Sequence, residues 1–380
     1  MAVSSLTILK GFHPLKDAVF ASLAQIAHDA HGSDAIWLRT IGLRGTEFPE
    51  TAERVDVAMK RAKRQPKGLG RSIKQGLIKR QYNWARAHFE QNGGIAVCWN
   101  GLTGSRRAYM EAARDAGAGR LFAELAPFPG YVTLDSTGVN AESSVPRTKA
   151  GLGDVGLSGA RRAEMAKALV ARAARTARVD QTQRDLPDEP FLFCPLQVPN
   201  DSQIQVFGGW VGSVEGFVGA LAQASLKLPD GWHLRVKEHP SSKVSMAGPL
   251  EAAVSVAGGR LIVDNGTDTF AQVRASRGVI TVNSSIALES FLLGKAVVVT
   301  GQAYFAEEGL VTPAGSQARL NAICGDPDVL AFDDDHRAAI LGYLLDRYYV
   351  PVTGKGASTR LDRDRTLEKL AQAEASDVVV

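Results

Sequence analysis

Residues 279–293, VITVNSSIALESFLL, read as a strand that stops, turns and becomes a helix. Val279–Val282 is a β-branched run. Asn283, Ser284 and Ser285 are residue types that end strands and cap helices, and Leu288 and Leu292 follow at helical spacing. A strand that leads into a helix is the unit of a parallel sheet, because the chain must cross over before it can pair again in the same direction. The same alternation recurs outward. Leu6–Phe12 precedes a helical stretch at Asp17–Ala30, Ile95–Trp99 precedes Ser105–Ala116, and Phe191–Leu196 precedes Glu215–Ser225. Trp232–Lys237, Leu261–Val263 and Ala296–Thr300 are further strand candidates, close enough in sequence to join Val279–Val282 in one second sheet. The pattern predicts an α/β protein with parallel strands.

At 380 residues the chain is too long for one ordinary core and fits two domains, which implies a cleft. Arg161–Arg178 reads as a long Ala/Arg-rich helix, and the polar stretch Asp180–Pro190 behind it carries two prolines. The expected division is therefore an N-terminal domain at residues 1–185, a C-terminal domain at 186–345 and a helical tail at 346–380. A helix through Ala338–Tyr348 and a charged one near Arg365–Glu374 are expected at this end, with frayed last residues.

A composition of 45% hydrophobic and 22% charged residues is that of a packed globular protein rather than a disordered or fibrous one. No apolar run approaches the roughly 18 residues of a membrane-spanning helix, and Met1–Phe12 lacks the marks of a signal peptide, so a cytoplasmic location is expected. Cys98, Cys194 and Cys324 are scattered without metal-ligand spacing; the sequence supports neither a disulfide framework nor a zinc site and reads all three as buried hydrophobes.

The formal charge of +4 is unevenly spread. From Lys60 to Phe89 there are ten Lys or Arg residues and no Asp or Glu, with Ile73, Leu77, Ile78, Tyr82 and Trp84 interleaved. Two readings stand for the segment Lys60–Arg80: a solvated face, or docking to an anionic membrane surface or a lipid-linked acidic acceptor. Nucleic acid ranks behind both and is not expected as a partner.

Several short motifs lie at strand ends, where ligands bind in open α/β sheets. Gly151, Gly153 and Gly156 spell GxGxxG, but the polar, Pro146-containing segment before them is no strand, which argues against a dinucleotide site. Gly208, Gly209 and Gly212 read as a flexible turn. Of the two His-Pro dipeptides, His13-Pro14 and His239-Pro240, only the second closes a strand and sits between lysines, Lys237 and Lys243, where imidazole and ammonium groups could hold a phosphate. Ser284 and Ser285 offer hydroxyls and backbone N–H groups at a helix start, either as a phosphate seat or as plain caps. Glu289 lies one turn further in, as a ribose contact or a local pair. In the first half, Glu124 and Asp135 follow the strand-like Arg120–Ala123 and Tyr131–Leu134, and in the second Asp201 lies beyond Phe191–Cys194. Each reads by itself as a cap or turn residue.

As a set these segments form a pattern: ELAPFPG from Glu124, DSTGVN from Asp135, PLQVPNDSQ from Pro195, KEHPSSK from Lys237 and NSSIALESFLLGK from Asn283. Their order resembles the capsule polysaccharide synthesis family, whose best-known members are retaining β-Kdo transferases that use CMP-Kdo. The resemblance covers about Ala96–Phe305. It implies a GT-B-like pair of Rossmann-like domains facing a cleft, with the donor mainly on the C-terminal domain, no metal and no resident cofactor, since the CMP-sugar is a substrate. It further implies that His239 binds the CMP phosphate, with Ser284 and Ser285 completing the seat and Lys237, Glu289 and Gln197 contributing to the donor site. Asp201 matches the carboxylate proposed as nucleophile, Glu124 matches the acid/base that deprotonates the acceptor hydroxyl, and Asp135 and Asn140 fall to support. The implied partners are CMP-Kdo and a saccharide or lipid-linked glycan acceptor. The motifs also resemble those of bacterial sialyltransferases, which leaves a CMP-sialic acid or other CMP-ulosonic acid transferase as one alternative. A non-catalytic capsule assembly or export protein docking at the membrane is another, and a UDP-sugar transferase ranks lower.

Overall fold

The computed structural model describes residues 5–170, 179–182, 186 and 188–375. It contains two compact units, the first built on a mixed sheet whose β1–β4 part is parallel and the second on a parallel sheet. The first begins with strands β1 (Ser5–Leu9), β2 (Asp34–Leu38), β3 (Ile95–Trp99), β4 (Gly119–Leu125) and β5 (Tyr131–Asp135). The second holds β6 (Phe191–Pro195), β7 (His233–Lys237), β8 (Leu261–Val263), β9 (Gly278–Thr281), β10 (Ala296–Val299) and β11 (Thr312–Pro313). The chain then returns to the first sheet with β12 (Tyr349–Thr353) and β13 (Arg360–Leu361).

The strand orders locate where a ligand can enter. The second sheet runs β11-β10-β9-β6-β7-β8, and every ladder in it is parallel. From β6 the chain winds outward through β7 and β8, then jumps back to β9 on the other side, so the direction reverses between β6 and β9. In the first sheet, β13-β12-β5-β4-β3-β1-β2, the same reversal falls between β1 and β3. Connections part at such a point and leave a crevice beyond the carboxyl ends of the strands.

Burial follows from this layering. All five residues of β3, Ile-Ala-Val-Cys-Trp, are buried, as in a strand covered on both faces. Phe191, Phe193 and Val279 pack to one side of the second sheet with Phe270 and Val273, while Leu192, Val236 and Ile280 pack to the other. Cys98, Cys194 and Cys324 are buried and unbridged, and burial raises each thiol above its ordinary value. The predicted helices are present as Pro14–His31, Gly104–Asp115 and Val214–Ser225.

Three expectations are corrected. The units divide at Val145 and Pro146, not at residues 185 and 186. The segment after Pro146 packs within the second unit: Leu157 N–H bonds the Ala338 carbonyl at 2.8 Å, and the Arg162 guanidinium closes the end of helix Ile286–Leu292 on the carbonyls of Phe291 and Leu292. Gly342 lies against the Gly156 backbone, so the close approach requires glycine at 342, whereas a Cβ at Gly156 would meet nothing within 4 Å. The helix expected at Arg161–Arg178 spans Gly159–Ala168, and 171–178 lie outside the described residues.

The C-terminal part, finally, is not a separate helical tail. After helix Asp334–Tyr343 and a wider turn at Leu344–Tyr348, β12 pairs antiparallel with β5, Tyr349 opposite Thr133, and helix Arg363–Ala375 buries Leu370 and Ala373 in the first core. Burial of Tyr348, Tyr349 and Val350 rewards this return. The terminal residues expected to fray, 376–380, are outside the described set.

Candidate functional site

In the second unit a pocket lies at the reversal point. It is lined by Pro195 and Leu196 at the end of β6, Lys237–Pro240 at the end of β7, and Ser284–Ile286 with Glu289 after β9; Val170, Thr269 and Phe270 complete the wall. Four expected residues, His239, Ser284, Ser285 and Glu289, thus meet in one place.

Local chemistry sets their orientation. His239-Pro240-Ser241-Ser242 is a tight turn, closed by the Ser242 N–H on the His239 carbonyl at 2.9 Å, with proline at the position where its fixed φ is favourable. The Ser241 N–H donates to His239 Nδ1 at 3.1 Å. A ring nitrogen that accepts carries no proton, so the neutral imidazole holds its proton on Nε2 as a donor. Ser285 stands at the helix N-cap yet makes no capping bond, and Ser284 Oγ accepts only a long one, 3.4 Å, from the Ile286 N–H. Capping does not account for these two hydroxyls.

Two other expected residues, of which Lys237 also lines the pocket, are bonded to the fold. Lys237 is buried, and its ammonium donates to the carbonyls of Asp180, Asn265 and Thr267 at 2.7, 3.1 and 2.5 Å. Those bonds match its three N–H donors, so it fastens the loop around Asn265 rather than reaching for an anion. Gln197 forms a reciprocal pair with Asn283: its Nε2 donates to Asn283 Oδ1 at 2.9 Å, and its Oε1 accepts the Asn283 N–H at 3.2 Å. Asn283 Nδ2 in turn donates to the carbonyls of Gln203 and Phe207. The loop bearing Ser284 and Ser285 is therefore fixed from below by an amide clamp.

Asp201 caps the short helix Ser202–Phe207, its Oδ1 accepting the Gln203 N–H at 2.9 Å. Neither Asp201 nor the exposed Lys243 is among the residues lining the pocket.

The first unit has its own constellation. Glu124, on β4, accepts from Trp99 Nε1–H at 3.1 Å, from its neighbour Leu125 N–H at 3.0 Å and from Asn100 Nδ2 at 2.8 Å. Trp99 ends β3, and Asn100 follows at φ +68°, a left-handed turn that asparagine tolerates. The Lys16 ammonium lies 4.8 Å from the Trp99 ring centroid, and Arg106 donates to the Trp99 carbonyl at 3.2 Å. Burial lowers the Lys16 pKa, and the Glu124 charge opposes that shift. A half-buried carboxylate at a strand end, oriented by three donors and flanked by cations, can accept a proton or bind a hydroxyl.

Asp135 is a structural hub. Its carboxylate accepts six bonds: from the N–H and hydroxyl of Thr137, the Gly138 N–H, the N–H and hydroxyl of Ser144, and the Tyr348 hydroxyl. Asn140, at φ +58°, opens a short helical turn whose Glu142 accepts from Arg61 and Arg107 at 2.5 Å each.

Sequence reasoning missed Asn265, which pairs with Glu238 through Nδ2 and with its N–H through Oδ1. It also missed Thr269 and Phe270 in the pocket wall. The turn signature Asp264-Asn265-Gly266 was the available signal. Nothing local marks Phe270.

Residues 156–341 match the model of a family described as capsule polysaccharide biosynthesis protein. Protein FixF of Sinorhizobium fredii (strain NBRC 101917 / NGR234) is 31% identical over 278 residues, 71% of this chain and 62% of that protein; the chain thus spans less than two thirds of this relative's length. Two solved structures of KpsC from Thermosulfurimonas dismutans share the fold. The β-Kdo 2,7 transferase is 12% identical, with a TM-score of 0.53 over 97% of this chain and 99% of that one. The β-Kdo 2,4 transferase is 13% identical, with a TM-score of 0.50 over 97% and 98%. The two Rossmann-like units are those of the GT-B fold.

Proposed function

Because residues 156–341 match the model of the capsule polysaccharide biosynthesis family, we propose that this chain is a glycosyltransferase that moves Kdo from CMP-Kdo to a saccharide or lipid-linked acceptor with retention, in capsule or surface polysaccharide synthesis. The observation that carries the reading is the pocket beyond β6, β7 and β9, where the His239 imidazole and the Ser284 and Ser285 hydroxyls stand together. These are neutral donors. They suit one phosphate diester with a single charge, which a CMP-activated sugar presents, better than a diphosphate with its larger charge.

In this scheme His239 Nε2–H and the two hydroxyls hold the phosphate, and Glu289 reaches the ribose. Lys237 and the Gln197–Asn283 pair position the two loops that carry the donors. Asp201 uses the oxygen that does not cap its helix to attack the anomeric carbon, and the bond from that carbon to the phosphate oxygen breaks as CMP leaves. Glu124 then takes the proton of the acceptor hydroxyl, whose oxygen attacks the same carbon and releases the Asp201 carboxylate. The enzyme works from the cytoplasm, at the inner face of the membrane.

Calorimetry with CMP, UDP and CDP on the wild type and on His239→Ala tests the donor reading. Selective CMP binding that the variant loses supports it. Absence of binding by any nucleotide removes the transferase reading. Full transfer activity in Asp201→Asn removes the nucleophile assignment alone.

A further inference from the structure

Helix Gly68–Asn92 carries two apolar stripes, of which the first core uses one. Ile78, Tyr82, Ala85 and Phe89 are buried, whereas no residue from Gly68 to Leu77 is. In that free portion Leu69, Ile73 and Leu77 are 77%, 64% and 43% exposed. Spaced four apart, they form one ridge about 12 Å long. Ile78 follows Leu69 by nine residues, which at about 100° each places the ridge on the side of the helix facing away from the core. A solvated face would carry polar residues there.

The charges name the occupant. Lys60, Arg61, Lys79 and Arg86 pair with Asp56, Glu142, Glu47 and Glu90. Arg64, Lys67, Arg71 and Arg80 are exposed and have no carboxylate within ion-pair distance among the described residues. Arg80 falls on the ridge itself, between Leu69 and Ile73 in angle. A second copy of this chain would bring a second basic helix to the same place and be repelled. A nucleic acid would match the cations but leave the leucines and isoleucine against phosphates. An apolar ridge bordered by unpaired cations matches a bilayer with anionic headgroups, where the side chains enter the acyl boundary and the cations meet the phosphates. Among the described residues no helix is long and apolar enough to cross a membrane, so this contact lies on the surface.

We infer that the N-terminal part of helix Gly68–Asn92 is an interfacial anchor for an anionic lipid surface, with Leu69, Ile73 and Leu77 inserted and Arg64, Lys67, Arg71 and Arg80 holding headgroups. The inference deepens the membrane placement proposed above, and it is read without donor or acceptor. Loss of CMP binding in His239→Ala therefore leaves it untouched.

The test is co-sedimentation with phosphatidylglycerol-containing vesicles and with pure phosphatidylcholine vesicles. The wild type is expected to bind the anionic vesicles, and the triple variant Leu69→Ser, Ile73→Ser, Leu77→Ser to bind at least about tenfold more weakly. Arg71→Gln and Arg80→Gln should each lose about fivefold, an effect that salt erases. Thermal melting of the triple variant should match the wild type, since none of the three side chains is in the core. In parallel, Ile73→Cys labelled with an environment-sensitive dye should shift to the blue on anionic vesicles, while Asp230→Cys should not. Equal binding by the triple variant, binding to neutral vesicles alone, or conversion of a wild-type dimer to monomer by the triple variant with vesicle binding unchanged overturns the proposal.

Discussion

The two sheets each reverse direction once, between β1 and β3 in the first unit and between β6 and β9 in the second, and the two reversal points are furnished in opposite ways. Beyond β6, β7 and β9 the ionic groups Lys237 and Glu238 are buried and bonded to the backbone and to Asn265, while an imidazole and hydroxyls are left to face the pocket. Beyond β3 and β4 the carboxylate of Glu124 itself stands at the strand end, with Lys16 and Arg106 around it. A strand end alone does not make a residue functional. What matters is whether its bonding capacity is already filled by the fold.

The largest effect should come from Glu124→Gln, which keeps the shape and the bond from Trp99 but replaces the oxygen that accepts from Asn100 with an amide and removes the base. Transfer should fall by about 10² to 10⁴ with CMP affinity unchanged. A variant that transfers normally would place Glu124 with the structural residues and break the contrast.

Lys237→Met should take one donor from each of its three carbonyl partners, leaving Asn265 the Asp180 N–H and Thr267 the Gln272 amide, and destabilise the protein by about 2 kcal/mol in urea unfolding. A stable variant with weakened CMP binding would instead return Lys237 to the ligand. His239→Ala should show the reverse signature, an unchanged melting temperature with CMP affinity lowered about 10- to 100-fold.

The smallest effect is one of pH. Burial opposes ionisation of Asp264, but hydrogen bonds from Thr267 and Arg235 outweigh it and hold the pKa at about 2. A depressed carboxylate stabilises the fold above its unfolded value and loses that stabilisation as pH falls. The second unit should therefore lose roughly 2 kcal/mol between about pH 4 and pH 2, and Asp264→Asn should flatten this slope. An unaltered acid profile in the variant would assign the slope to other carboxylates.

Much of the framework was legible because it rests on short-range pattern. The runs that became β3, β6, β9 and β10 are buried on both sides and almost continuously apolar, whereas the equally buried β7, His-Leu-Arg-Val-Lys, carries three polar side chains. Strand β2, Asp-Ala-Ile-Trp-Leu, lies at a sheet edge with no fully buried residue, so its sequence carried too little contrast to be seen. The stretch leading into Tyr348 was read as helix throughout, since only the pairing of Tyr349 with distant Thr133 makes the next residues a strand. The same holds in the site. Spacing placed His239, Ser284 and Ser285 correctly at strand ends, but nothing near Lys237 or Gln197 announces that Thr267 and Asn283 will occupy them. Asp135 was recognised as supporting, though its six donors come from as far away as Tyr348.

The return of β12 to the first sheet also orders events during synthesis. The second unit is one continuous stretch, Pro146–Tyr343, and can close as soon as it has left the ribosome. The first unit begins earlier yet stays open at the β5 edge, with the outer side of Tyr131–Asp135 unpaired, until Tyr349–Pro351 arrive. The half of the molecule made first is thus finished last, and a premature stop near residue 343 would release a complete second unit joined to a first one with an exposed, association-prone edge.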